Sequence, residues 1–126
     1  MQKSSVMHRR NIGKLGEDCA CKYLLSKGYS ILDRNYHSRF GEIDIIAKRG
    51  ELVFVEVKAR TSSQFGTPQS SITRRKIQRI IKTVLYFLNG STLKSKIIWR
   101  IDLIGIELTK NGELKNITHL KNILNG

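Results

Sequence analysis

The chain has 126 residues, 40% of them hydrophobic and 26% charged, which suits one compact core of ordinary composition. Two cysteines are too few for a disulfide-stapled scaffold, and no apolar run approaches the roughly 20 residues of a membrane span. Lys plus Arg is 23 against 10 Asp plus Glu, and the resulting net charge of +13 points to a polyanionic partner, DNA or RNA, whose phosphates release counterions to basic side chains.

Residues 1–11 show no periodicity, carry Lys3, Arg9 and Arg10, and read as a flexible basic N-terminal arm. They lack the apolar core of a signal peptide, so a cytoplasmic protein with no membrane partner is expected. Residues 12–126 read as one domain. Ile12, Leu15, Cys19 and Tyr23 recur at helical spacing, widened by Ala20 and Leu24, and predict a helix over 12–27 that Gly28 ends. Cys19 and Cys21 stand at i and i+2 on it, point apart, and read as small apolar fillers. Tyr29 to Asn35 begins a strand, and 36–40 reads as irregular. Glu42 to Ala47 and Leu52 to Ala59 follow as strands, joined by a three-residue hairpin loop, Lys48-Arg49-Gly50, with glycine in the left-handed position.

Residues 61–70 read as a loop containing the single proline, Pro68. Ile77, Ile80, Ile81, Val84, Leu85 and Leu88 make an apolar stripe that predicts a second helix near 70–89. Lys96 to Leu108 reads as a long strand, Asn111-Gly112 as a turn, Glu113 to Ile117 as a last strand and 119–124 as a short helix. The order is helix, three strands, helix, two strands: an α/β fold with a mixed β-sheet flanked by helices.

The chemistry concentrates in Gly41-Glu42-Ile43-Asp44 and, twelve residues after Asp44, Glu56-Val57-Lys58. Side chains alternate along a strand, so Glu56 and Lys58 share a face with Phe54, while Val53, Val55 and Val57 take the other. With a three-residue loop, Ala47 faces Glu51 and Asp44 faces Phe54, one diagonal step from Glu56 and on the same side, roughly 7–8 Å away at the backbone. Two carboxylates there can converge on one cation, and hard oxygen ligands suit Mg²⁺ or Mn²⁺. Lys58 would then orient a metal-activated water, accept its proton, or neutralise a phosphate, and spacing does not choose among these. Read without this chemistry, Glu56 and Lys58 are solvent-facing strand residues.

These residues also carry a resemblance. Asp44, Glu56 and Lys58 resemble the core of the PD-(D/E)xK nuclease superfamily. Gly13-Lys14-Leu15-Gly16-Glu17, Gly28-Tyr29, the Gly41–Asp44 run and Val53 to Arg60 resemble the YraN family, small bacterial proteins with a predicted endonuclease-like fold similar to archaeal Holliday-junction resolvases. Phe65-Gly66, Lys76, Asp102 and Ile117-Thr118-His119-Leu120 extend the match. The resemblance implies a restriction-endonuclease-like fold, metal binding by Asp44 and Glu56, and a catalytic role for Lys58. It adds Glu17 as a third metal ligand; on spacing alone Glu17 is as easily a surface acid. The superfamily's proline before the first acid is absent, since Ile43 precedes Asp44.

Arg74, Arg75, Lys76, Arg79 and Lys82 fall largely off the apolar stripe of the second helix, with no acid among them, and read as a phosphate-tracking face. Arg39, before the first acid, and Arg60, two residues after Lys58, are further candidates for phosphate contact. Trp99 reads as core, and His8, His37 and His119 as scattered. Aromatics are only 7% and not interleaved with the basic run, which argues against a base-stacking reader of single strands. The expected activity is metal-dependent hydrolysis of DNA phosphodiesters, on branched or junction DNA, for which a homodimer would suit a two-fold substrate. The alternative is a nucleic-acid-binding module on the same fold without turnover.

Overall fold

A computed structural model describes residues 9–61, 72–89 and 97–125. Its elements are α1 (Arg9–Ser26), β1 (Ser30–Ser38), β2 (Gly41–Arg49), β3 (Glu51–Arg60), α2 (Arg74–Asn89), β4 (Trp99–Leu108), β5 (Leu114–Leu120) and a 3₁₀ turn over Ile123–Asn125. The five strands lie in the sheet in chain order. The pairs β1–β2, β2–β3 and β4–β5 are antiparallel, while β3–β4 is parallel. A parallel neighbour requires a crossover, and α2 lies within it. The fold is the α/β mixed sheet with flanking helices read from the sequence. None of the described helices is long and apolar enough to cross a membrane.

Several boundaries move. Residues 9–11, read as part of the arm, are helical, and 1–8 lie outside the described residues. Of the expected 61–70 loop, all but Thr61 also lies outside them. The segment 36–40 is not irregular throughout: β1 runs on to Ser38 because Tyr36 pairs with Ile43 and packs against the α2 side of the sheet. At the other end, His119 and Leu120 belong to β5 rather than to a helix, since they pair with Ile104 and Leu103. The second helix begins at Arg74, where Thr73 caps it by accepting the Lys76 N–H at 3.1 Å.

The sheet separates two cores. On one face, Ala20, Cys21 and Leu24 of α1 pack on Ile45, Val53, Val55, Ile104 and Ile106. On the other, Ile80, Val84 and Leu88 of α2 pack on Ile46, Phe54 and Ile101. The central strand β3 is therefore buried on both sides through Leu52–Val55, and the Phe54 face is a second core, not a solvated one. Trp99 packs there, its ring edge-on to Phe54 at 5.9 Å. The buried line of α1 runs through Gly16, Ala20 and Leu24, of which Ala20 and Leu24 only widen the expected stripe and Gly16 lies outside it. Small residues win because the helix closes tightly on the sheet. A Cβ on Gly16 would stand 2.4 Å from that of Ala59.

A polar network ties the rear of the sheet together. Asp102, fully buried on β4, accepts from Arg100 Nε at 2.9 Å and from the Asn122 N–H at 2.9 Å, and lies 2.7 Å from His119 Nε2. With Nε2 protonated, His119 donates to Asp102 while its Nδ1 accepts from the Tyr23 hydroxyl at 2.9 Å. Arg100 also binds Glu51 at 2.6 Å and the Tyr29 hydroxyl at 2.8 Å. Burial alone would raise the Asp102 carboxyl, but the bonds from His119, Arg100 and Asn122 outweigh it and hold the pKa below the ordinary value.

Gly16→Ala gains helix propensity of about 0.5–1 kcal/mol, yet overpacking against Ala59 costs about 1–3 kcal/mol, so the variant is destabilised. Urea midpoints should show this loss, with recovery in the Gly16→Ala/Ala59→Gly pair; equal midpoints for all three proteins would remove the close contact as a constraint. A carboxyl with a depressed folded pKa contributes stability above its unfolded value near 4, and that contribution is lost as pH falls below it. Asp102→Asn takes from Arg100 one of its two carboxylate partners, Glu51 remaining, and should cost about 1.5–3 kcal/mol at neutral pH. The gap to wild type should narrow in denaturation curves taken below about pH 4.

Candidate functional site

The cleft of interest forms where β2 leaves β3. Ladder pairing between them ends at Ile45↔Val55. Beyond it, the Asp44 side chain takes over the role of a strand neighbour: its Oδ2 accepts the Val57 N–H at 2.7 Å. On the other flank, Asn35 falls opposite Asp44, between Arg34↔Ile45 and Tyr36↔Ile43, and has φ of 53°. That left-handed residue bends the β1–β2 ribbon at the same point. The bend explains a break in alternation: Ile45 and Ala47 face α1, while Ile43 joins Ile46 on the α2 side.

The hairpin register differs from the one expected. Arg49 pairs with Glu51 across Gly50, whose φ is 78°, so the connection is tighter than a three-residue loop. Carried on from Ile45↔Val55, this register sets Asp44 opposite Glu56 rather than opposite Phe54. The shift is two residues, and the side-chain period is two, so the register error alone leaves the predicted facing unchanged. Both side chains line the same cleft.

The resulting cleft has a volume of about 450 Å³. Asp44, Glu56 and Lys58 line it, with Glu17 entering from α1 and Lys76 and Arg79 from α2. Helices on opposite faces of the sheet thus both reach the fork. Gly16 is the reason α1 can do so, since its contact with Ala59 sets the next residue, Glu17, at the cleft wall.

Charges in the cleft are only partly matched. Glu56 is 7% exposed, and its Oε2 lies 2.5 Å from the Lys76 ammonium. Glu17 is 3.7 Å from Arg34, which binds Asp18 more closely at 2.8 Å. Asp44 has no cationic partner of comparable closeness among the described residues. Burial first, and then the neighbouring Glu56 charge, push its carboxyl up to about 7, against the lowering effect of the Val57 N–H. Among the described residues, no three His, Cys, Asp or Glu side chains close into a ready-made metal cage. Asp44 and Glu56 form a pair of hard oxygen donors short of positive charge, a set that a divalent cation fits.

The other candidates separate into groups. Arg79 joins Lys76 in the cleft wall, whereas Arg39 and Lys82 line a neighbouring hollow. Arg74 and Arg75 are exposed in the first turn of α2, and Arg60 is half-buried at the end of β3. Sequence reading missed Arg34, whose tie to Glu17 and Asp18 depends on where α1 crosses β1 and leaves no local signal. It also missed the Ser38–Thr83 contact of 3.3 Å beside Gly41, between the last residue of β1 and a helical residue 45 positions on.

A five-stranded mixed sheet with a helix on each face, forked between its second and third strands, has the restriction-endonuclease-like α/β arrangement. The chain belongs to the uncharacterised protein family UPF0102, the YraN family, whose model matches residues 16–106. It is 40% identical over 120 residues to a UPF0102 protein of Desulforamulus reducens, covering 94% of this chain and 98% of that one. A UPF0102 protein of Dictyoglomus turgidum is 44% identical over 117 residues, with 92% and 98% covered. One of Persephonella marina is 47% identical over 111 residues, with 87% and 90% covered.

The Asp44 environment makes a testable statement about stability. A carboxyl whose folded pKa is raised suffers its penalty as pH climbs from the unfolded value near 4 to the folded value of about 7. Asn at this position keeps an acceptor for Val57 and removes the repulsion. In EDTA, Asp44→Asn should be more stable than wild type at pH 8 by about 1–3 kcal/mol, with the difference growing between pH 4 and 7 and flat above. A difference that does not vary with pH would mean that Asp44 carries no such penalty.

Proposed function

We propose that the protein is a metal-dependent DNA endonuclease that hydrolyses phosphodiester bonds in this cleft. The observation that carries the reading is the pairing of Asp44 with the buried Glu56 at the strand fork, beside Lys58. Asp44 and Glu56 would hold Mg²⁺ or Mn²⁺. When bound, the ion supplies a water activated at neutral pH and neutralises charge on the phosphate. Lys58 lies one strand repeat beyond Glu56, where its ammonium can hold the attacking water or the phosphate oxygen. Glu17 reaches the same space from α1 as a further oxygen donor. Lys76 and Arg79 present cations to the incoming backbone, and Arg39, Arg60, Arg74, Arg75 and Lys82 extend the basic surface. The net charge of +13 supports a polyanionic substrate.

Lys76 already neutralises Glu56, and the described residues hold no three-ligand cage, which favours a second reading: a DNA-binding module on a nuclease-like fold without turnover. One experiment separates them. Wild type, Asp44→Asn and Glu56→Gln are incubated with branched and linear DNA in Mg²⁺ or Mn²⁺, alongside calorimetric titration of Mn²⁺. The nuclease reading expects cleavage that each substitution lowers by at least about 100-fold, the scale of a lost group acting in the transition state. Unaltered cleavage in both variants would show that the site is elsewhere. No Mn²⁺ uptake at millimolar concentration with DNA present would favour the binding module.

A further inference from the structure

Beside the acidic cleft lies a second hollow of about 580 Å³, and its walls combine cations with aromatic rings. The Arg39 guanidinium stands over the Phe40 ring at 5.1 Å from its centroid. The Phe40 and Tyr86 rings meet edge to face, with centroids 6.2 Å apart at 67°. Lys82 lines the same hollow, Trp99 reaches it from the α2 core, and no carboxylate lines it among the described residues.

Tyr86 is 50% exposed, and its neighbour Leu85 is 52% exposed. Core packing does not explain that position. The buried line of α2 is Ile80, Val84 and Leu88, and a residue two places after Val84 points away from it. Tyr86, Leu85 and Phe40 instead make a contiguous apolar and aromatic patch beside cations, the kind of surface that marks an interaction site.

The location identifies what covers it. Phe40 immediately precedes Gly41, which lines the acidic cleft. Arg79 lines that cleft too, and Lys82 follows it by one helical turn on the same side. Asp44 lies four steps along the chain from Phe40, at most about 13 Å of extended backbone, or some four base steps of a stacked strand. A backbone entering the cleft would thus pass Arg79 and Lys82 while its bases reach the two rings. Duplex bases are already stacked on one another; only unpaired bases can lie on an aromatic side chain.

We infer that Arg39, Phe40, Tyr86 and Lys82 form a stacking platform for unpaired bases of a DNA strand, so that the preferred substrate carries a single-stranded segment next to the cleavage point. This rests on the nuclease reading for its direction, but the platform itself binds without turnover. Aromatic composition hides it in the sequence, because Phe40 in a turn and Tyr86 in a helix meet only in the fold.

Binding is measured by fluorescence anisotropy in EDTA, with a blunt duplex and with a single strand carrying 2-aminopurine, whose emission is quenched on stacking. Phe40→Ala/Tyr86→Ala should lose about 5- to 100-fold per ring in affinity for the single strand, along with the quenching, and little for the duplex. Tyr86→Ala alone, at a half-exposed position, and Phe40→Trp, which keeps a ring, guard against misfolding; thermal melts confirm the fold. Equal loss on both DNAs, or no loss on either, overturns the platform. It is also overturned if the variants dissolve a dimer in sedimentation while single-strand affinity stays intact, since the patch is then a self-contact. Wild type that quenches the probe but cuts nothing with Mg²⁺ or Mn²⁺ defeats the nuclease reading and leaves the platform standing. Asp44-dependent cleavage of forked DNA that is indifferent to Phe40 and Tyr86 does the reverse.

Discussion

The hydrogen bond from the Val57 N–H to Asp44 Oδ2 organises the molecule. A central strand must have its main-chain groups satisfied on both edges, because an orphaned buried N–H costs about 1–3 kcal/mol. At Val57 the parallel neighbour β4 is present, but β2 has turned aside, and a side chain replaces its backbone. Where two strands part inside a sheet, the freed main-chain groups need such a substitute or water. The acid is therefore a structural piece of the fork before it is anything chemical. Asn35, with its left-handed backbone opposite, completes the bend on the outer side.

Placing that acid beside Glu56 is electrostatically costly, and the surroundings only partly relieve it. Lys76 answers Glu56, Arg34 answers Glu17 and Asp18, and the Asp44 carboxyl remains short of positive charge. A second tension lies on α2, whose first turn holds Arg74, Arg75 and Lys76 and no acid. The helix dipole disfavours cations at an N-terminus by some 0.3–1 kcal/mol each. The two violations of local preference meet at Lys76, the one of these three cations that lines the cleft. A chain selected for stability alone would remove them with one carboxamide and one acid. On the proposed reading, a divalent cation and a phosphate backbone relieve the two tensions at once.

The elements of the fold are legible in the sequence where local chemistry fixes them. Gly28 and Gly50 take the positive φ expected of a helix end and a hairpin, and Asn111-Gly112 does turn the chain between β4 and β5. The spacing of Asp44, Glu56 and Lys58 was legible too, and the three line one cleft although the register between their strands differs by two. What could not be read depends on distant packing. Polar β1 residues beyond Asn35 look irregular until Tyr36 is seen packed beside Phe87. His119 looks like the start of a helix until Asp102, buried across the sheet, is found holding it in a strand. The large residues of α1 define a stripe, but Gly16 decides how close the helix comes, and a glycine carries no hydrophobic signal.

The two sides of the fork are fixed by different means, and this bears on how the cleft and the aromatic hollow relate. On the α1 side the constraint is steric: the Gly16–Ala59 contact leaves Glu17 little freedom to retreat. On the α2 side it is polar. Ser38 Oγ accepts the Phe40 N–H at 3.0 Å and reaches Thr83 Oγ1 at 3.3 Å, while Thr83 donates to the Arg79 carbonyl at 2.9 Å. Thr83 is fully buried, so the clasp is shielded from water. It joins the turn that carries Arg39 and Phe40 to the helix that carries Arg79, Lys82 and Tyr86. The acidic cleft and the hollow beside it are thus walls of one rigid corner, and a ligand spanning both meets a surface already set at fixed spacing.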